Sequence, residues 1–335
     1  MHRSVVKKKW HDRRCVKLRD THKKKAGMTS SKRRIYAYDS ENRPPFIATA
    51  PTIFSFVKNT EETISYFTDI ITQIDQRIFK QHFFIDSSRV EEVTADALIY
   101  ILAILYNIKL NPLMKYTFKG NLPNNKLAAA VYRDSGFMNY VETKRPVMPR
   151  TDDKIQILSG KQMDPETAKL VCEFVMSQFN QPRLFTRDLY KALIELMANT
   201  FQHAYTNSKR SPYWYLYAIN LGDRIQLTFI DTGEGIPSTV KKKFLERFPG
   251  VITDSGLIHS ALRGESRTGT NLSNRGHGLP ALYDFCKSGY LQNFYILSGK
   301  GCCIARDSNG AIDFEKYDYP NGISGTIFRF EIINK

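Results

Sequence analysis

Two glycine-bearing turns, each at a junction of strand and helix, constrain this chain more than any other feature. The apolar run IQLTFI, Ile225 to Ile230, alternates like a strand end and runs straight into DTGEGIP, Asp231 to Pro237. An acid and two glycines, Gly233 and Gly235, in so tight a turn let the backbone come close to a ligand. NRGHGLPAL, Asn274 to Leu282, opens a helix with Gly276 and Gly278. Free N–H groups and the helix dipole there can face phosphate. Upstream, ELMANTFQHAY, Glu195 to Tyr205, reads as a helix with Glu195, Asn199 and His203 on one face at i, i+4 and i+8. A carboxylate and an amide one turn apart suit a hydrated magnesium ion, which prefers hard oxygen ligands. NGISGTIFRFEI, Asn321 to Ile332, closes the chain.

In this order the four segments resemble the boxes of the GHKL ATP-binding fold of gyrase, heat-shock chaperone, histidine-kinase and mismatch-repair ATPases. ELMANTFQHAY resembles the N box, DTGEGI and RGHGL the two glycine boxes, and SGTIFRF the closing strand. QHAY after the Asn is most similar to the anti-sigma serine kinases of that group. The resemblance implies a two-layer α/β sandwich that takes ATP and Mg2+ as cofactors. It assigns Asn199 to magnesium, with Glu195 as general base and as a second contact to the metal through water. Asp231 would accept the adenine amino hydrogen, and Thr326 would support it. Gly233, Gly235 and Ile236 would pass near the base. Arg275, Gly276, His277, Gly278 and Leu279 would hold the phosphates, with Arg267 as a further source of positive charge. His203 is open between a phosphate or lid contact and helix packing, and His277 within the glycine turn is open in the same way.

The chain has 335 residues, which suggests two domains of ~150 residues each. Hydrophobic residues are 42% and charged residues 24%, the balance of a soluble globular protein. Five cysteines show no CxxC spacing and read as reduced thiols of a cytoplasmic protein. The longest apolar run, ALIYILAILYNI, falls short of the roughly 20 residues of a membrane span, so a buried helix and no membrane contact are expected. Of the formal net charge of +16, residues 1–45 carry +11, from 15 Lys/Arg and 4 Asp/Glu. This basic segment has few apolar residues and no helical stripe. It is expected to be a disordered tail, open between nucleic-acid contact and simple solvation.

Residues 50–145 read as a separate unit of alternating strands and helices, an open α/β sheet. Ile64, Phe67, Ile70, Ile71, Ile74 and Ile78 recur at helical spacing, HFFID is a strand, Val93 to Ile108 an apolar helix, MKYTFKG a strand, and NKLAAAVYRDSGF a helix ending at Gly136. FFIDSSRVEEVTADALIYILAIL and LAAAVYRDSGFMNYV resemble the STAS domain of anti-sigma-factor antagonists. Counting from Val90 places the phosphoacceptor loop of that family at Thr94-Ala95-Asp96, not at Asp86-Ser87-Ser88. Neither Ala95 nor Asp96 has the hydroxyl that phosphoryl transfer needs, and Thr94 is shifted.

The third segment, 155–335, would be the ATP-binding domain. Pro165 to Phe179 reads as a helix capped by Asp164. Pro212–Asn220 and Arg224–Asp231 form a hairpin around Leu221-Gly222-Asp223. Residues 237–247 are helical, 250–274 form a mobile lid, and three or four strands finish the sheet. The expected function is an ATP-dependent regulator that hydrolyses ATP and whose nucleotide state controls a protein partner, with its own STAS-like domain docking near the lid. A protein serine/threonine kinase of the anti-sigma type and a non-catalytic ATP-binding module are the alternatives, and a homodimer is left open.

Overall fold

The computed structural model of the chain describes residues 45–75, 81–109, 116–141, 150–179, 183–202, 212–245, 253–265, 278–287, 289–308 and 311–334. The chain is mixed α/β. Its N-terminal segment places β1 (Phe46–Thr49), β3 (Gln81–Asp86) and β5 (Tyr116–Gly120) in a parallel sheet of order β1-β3-β5. A two-residue ladder pairs β2 (Ile53–Phe54) with β4 (Glu92–Val93). The helices are α1 (Thr60–Asp75), α2 (Ala95–Lys109), α3 (Lys126–Asp134) and α4 (Phe137–Val141). The C-terminal segment follows as β6 (Lys154–Gly160), α5 (Pro165–Gln178), α6 (Arg183–Gln202), β7 (Trp214–Asn220) and β8 (Arg224–Asp231). It continues with α7 (Ile236–Leu245), α8 (Asp254–Leu262), α9 (Gly278–Lys287), β9 (Leu291–Ser308) and β10 (Ala311–Ile333). Its sheet runs β6-β7-β8-β10-β9, every pair antiparallel.

Local chemistry explains several boundaries. The Asp164 carboxylate accepts from Glu166 N and Thr167 N at 3.1 Å each and Pro165 takes the first turn, so α5 starts with its orphan donors satisfied. Gly222 adopts φ +99° between β7 and β8, where Leu221 N donates to Arg224 O at 2.8 Å. Two regions differ from the sequence expectation. Among the described residues after Lys287 there are two long strands rather than three or four, because β9 and β10 pair through several bulges instead of breaking. The first half of the expected lid contains α8. Thr253 caps it, Leu257, Ile258, Ala261 and Leu262 bury one face, and Asp318 on β10 accepts from Ser255 N at 3.0 Å.

The C-terminal sheet is covered on both faces. Phe229, Phe328, Phe330, Ile296 and Cys303 turn toward α5–α9 and share a core with Leu193, Leu196 and Met197 of α6. Ile230, Ile327, Leu297, Tyr295 and Cys302 turn the other way. They pack into one core with Phe56, Ile64 and Phe67, and with Leu98, Tyr100 and Ile101 of α2. The neighbours Cys302 and Cys303 face opposite layers, the period-two signature of a strand. The N-terminal segment therefore docks on the sheet face opposite α8, the part of the expected lid that lies among the described residues. Among the described residues, no helix is long and apolar enough to cross a membrane. The basic segment, apart from Pro45, and lid residues 250–252 and 266–274 lie outside the described residues.

Candidate functional site

Asp231 ends β8, flanked by Trp214 on β7 and Thr326 on β10. Its carboxylate folds back on the turn and accepts from Gly233 N at 2.8 Å, an Asx turn that fixes the first glycine. Thr326, 2% exposed, donates its hydroxyl to the same carboxylate. Burial pushes the Asp231 carboxyl up to about 6, against the two hydrogen bonds, which favour the charged form. The shift thus records burial outweighing the two hydrogen bonds to the charged form.

Behind Asp231 lies a serine that the sequence reading missed. Ser298 on β9 is fully buried. Its hydroxyl donates to Gly325 O at 2.9 Å, accepts from Ile236 N at 2.9 Å, and lies 3.0 Å from the Thr326 hydroxyl. One small side chain thereby ties together the start of α7, the bend before Thr326, and the support of Asp231. The only sequence signal for it was a serine ending the apolar run FYIL, just ahead of Gly299. The glycines are there because the space is filled. Gly235 adopts φ +82°, and a Cβ on it would come 2.8 Å from Ser298 Oγ. Gly325 adopts φ +81°, and a Cβ there would fall 2.0 Å from Asp231 O. Any side chain at Gly325 would push β8 and β10 apart where the acid sits.

The last turns of α6 lie against this loop, since a Cβ on Gly233 would come 4.0 Å from Thr200 O. Glu195 and Asn199 occupy those turns on one face, both half-buried, beside the fully buried Leu196 and Met197. Gly278 begins α9, and Leu279 packs half-buried against the helical core. Asp231, Gly233, Gly235, Ile236 and Thr326 are thus gathered around one turn, with Glu195 and Asn199 on the helix beside it. His203, Arg275, Gly276 and His277 lie outside the described residues, as does Arg267. Among the described residues, no group of three His, Cys, Asp or Glu side chains is close enough to hold a metal ion. The Glu195 and Asn199 oxygens suit magnesium by type, but such an ion would draw its remaining ligands from phosphate and water.

The acceptor region of the N-terminal segment has its hydroxyls engaged. Thr94 Oγ1 donates to Asp96 Oδ1 at 2.5 Å, and Ser87 Oγ, fully buried, accepts from Tyr132 at 3.0 Å. The Asp96 side chain is fully buried, with Oδ2 3.7 Å from Arg329 Nη1 on β10. A groove of about 340 Å³ between α5 and α6, lined by Lys169, Cys172, Glu173, Met176, Thr186, Arg187 and Tyr190, shares no residue with the Asp231 cluster. No family model matches the chain, and no curated protein matches its sequence.

Proposed function

We propose that this chain is an ATP-dependent regulatory protein with a GHKL-type site, built on a C-terminal domain and joined to a STAS-like N-terminal domain. The observation that carries the reading is the half-buried acid at the end of β8. Asp231 is oriented by Gly233 N and Thr326, locked from behind by Ser298, and set in a turn whose glycines have no room for side chains. A carboxylate so held offers a lone pair to an amino group, which selects adenine over guanine. Glu195 and Asn199 stand on the adjacent helix face, where an amide would hold magnesium and a carboxylate would take a proton from water. Bound magnesium would neutralise phosphate charge. The rest of the work falls to Asp231, which orients the base, and Glu195, which removes the proton.

Hydrolysis is favoured over phosphorylation of the chain's own acceptor region. Asp96 is buried in an ion pair, and Thr94 and Ser87 have their hydroxyls engaged within the fold. The test follows the γ-phosphate of labelled ATP in the presence of magnesium. The expected result is free phosphate, lowered ~10²–10⁴-fold by Glu195→Ala with ATP affinity kept. Label on a protein serine or threonine would turn the reading to a kinase. No ATP binding in the wild-type chain would overturn it.

A further inference from the structure

Strand β10 is irregular just where it backs the acid. Its ladder with β9 jumps from Ile323–Gly299 to Thr326–Ser298, and its ladder with β8 starts only at Thr326–Asp231. Ser324 and Gly325 therefore fall outside both ladders, and their backbone groups need other partners. The Ser298 hydroxyl takes Gly325 O. Both groups of Ser324 are taken by a single side chain from the N-terminal segment. Tyr100 Oη accepts from Ser324 N at 2.9 Å and donates to Ser324 O at 3.1 Å. A phenol can do both at once, and no apolar residue of similar shape can. Burial keeps this hydroxyl protonated by holding its pKa well above the usual tyrosine range. Tyr100 is itself buried, wedged edge-on against Phe56 and Phe67.

We propose that Tyr100 is a positioning residue for the nucleotide site, through which the docked N-terminal segment sets its affinity for adenine nucleotides. The chain of contact is short. Tyr100 fixes Ser324, Ser324 leads into Gly325 against the Asp231 backbone, and the next residue, Thr326, supports the Asp231 carboxylate. When the N-terminal segment is seated, the bend has one geometry and the acid is aimed. When the hydroxyl is withdrawn, Ser324 loses both partners and the bend is free to shift. The inference rests on reading the Asp231 turn as an adenine site, and it makes the N-terminal segment the regulator of that site rather than a passenger.

Tyr100→Phe in the full chain keeps the ring and removes only the hydroxyl. Tyr295→Phe is the matched control, because Tyr295 Oη donates to Phe56 O at 2.7 Å across the same interface while Tyr295 pairs with Arg329, three residues beyond Thr326 on β10. Titration calorimetry with ATP and GTP is expected to give about a tenfold fall in ATP affinity for Tyr100→Phe, with GTP affinity as in wild type. Tyr295→Phe is expected to keep the wild-type ratio. In the nucleotide-free protein, amide exchange at Ser324–Thr326 should rise in Tyr100→Phe alone. A wild-type ATP-to-GTP ratio in Tyr100→Phe, an equal fall in Tyr295→Phe, or unchanged exchange at Ser324–Thr326 overturns the proposal while leaving the ATP reading intact. A wild-type chain that binds no ATP overturns both.

Discussion

Asp231 costs the fold stability at neutral pH rather than adding to it. An acid whose folded pKa is raised binds its proton more tightly in the native chain than in the unfolded one, so stability falls as pH rises from about 4 to 6 and the cost is fully present above 6. Keeping this carboxylate ionised at neutral pH costs at most about 3 kcal/mol, less to the extent that solvent reaches it. Two outcomes are expected. ATP affinity should drop as pH falls through about 6, because a protonated Asp231 accepts more weakly and can present an O–H donor to an amino group. Asp231→Asn should raise the melting temperature of the nucleotide-free protein by a few degrees while ATP affinity falls ten- to a hundredfold. A thermal scan and a titration on the same sample check both, and a destabilised Asp231→Asn would refute the account of its pKa. At this scale the turn was readable because its bonds are local, with Gly233 N reaching back two residues to Asp231. Ser298 and Tyr100 were not readable. The first works through strand pairing with β10 and the second through a bend 224 residues away. In the sequence Tyr100 is one more member of the apolar stripe of α2.

Helix α2 is held to the sheet at its first turn by a buried charge pair. Asp96 lies in that turn, where the helix dipole favours a carboxylate. Oδ1 accepts from Phe56 N at 3.3 Å and from Thr94, which leaves Oδ2 without a hydrogen bond and facing Arg329. Arg329 also donates to Gln226 Oε1 at 2.7 Å, so the guanidinium is fixed in the interface. Removing Arg329 strands the Asp96 charge, whereas removing Asp96 leaves the guanidinium with Glu331 Oε1 at 3.9 Å, so Arg329→Met should cost about 3 kcal/mol in urea denaturation and Asp96→Ala less. The double substitution should cost at least 1 kcal/mol less than the sum of the singles. Strict additivity would mean the two charges do not sense each other across the interface. The sequence placed Asp96 at a helix start, which is a local property, but not its partner, which needs the sheet. Helix α8 was not legible as a helix. Its residues were read as part of a mobile lid, and Leu257, Ile258, Ala261 and Leu262 carry a helical stripe that packs into the core beside β9.

The division into an N-terminal and a C-terminal unit follows the order of elements along the chain, but the core does not respect it. The clue was in β7 and β8. Every residue from Trp214 to Ala218 and from Ile225 to Ile230 is buried, including Gln226 and Thr228. A sheet with one wet face alternates apolar and polar residues, and a near-continuous apolar run such as WYLYAI requires cover on both sides. The second cover is α1 and α2. Cutting the chain near residue 150 would bare Tyr215, Tyr217, Ile230, Tyr295, Leu297, Ile323 and Ile327 at once. At roughly 1.5 kcal/mol or more for each side chain, that exposes on the order of 10 kcal/mol of burial, as much as the whole stability of a typical domain at about 5–15 kcal/mol. The fragment 150–335 should therefore be insoluble or bind a hydrophobic dye, and its ATP affinity should be lost. The intact chain should unfold in a single transition, with near-ultraviolet circular dichroism and tryptophan fluorescence (Trp214 sits in the sheet) changing together. Two separate transitions, or a soluble 150–335 fragment with wild-type ATP affinity, would show that the covered face is an incidental contact rather than part of the fold.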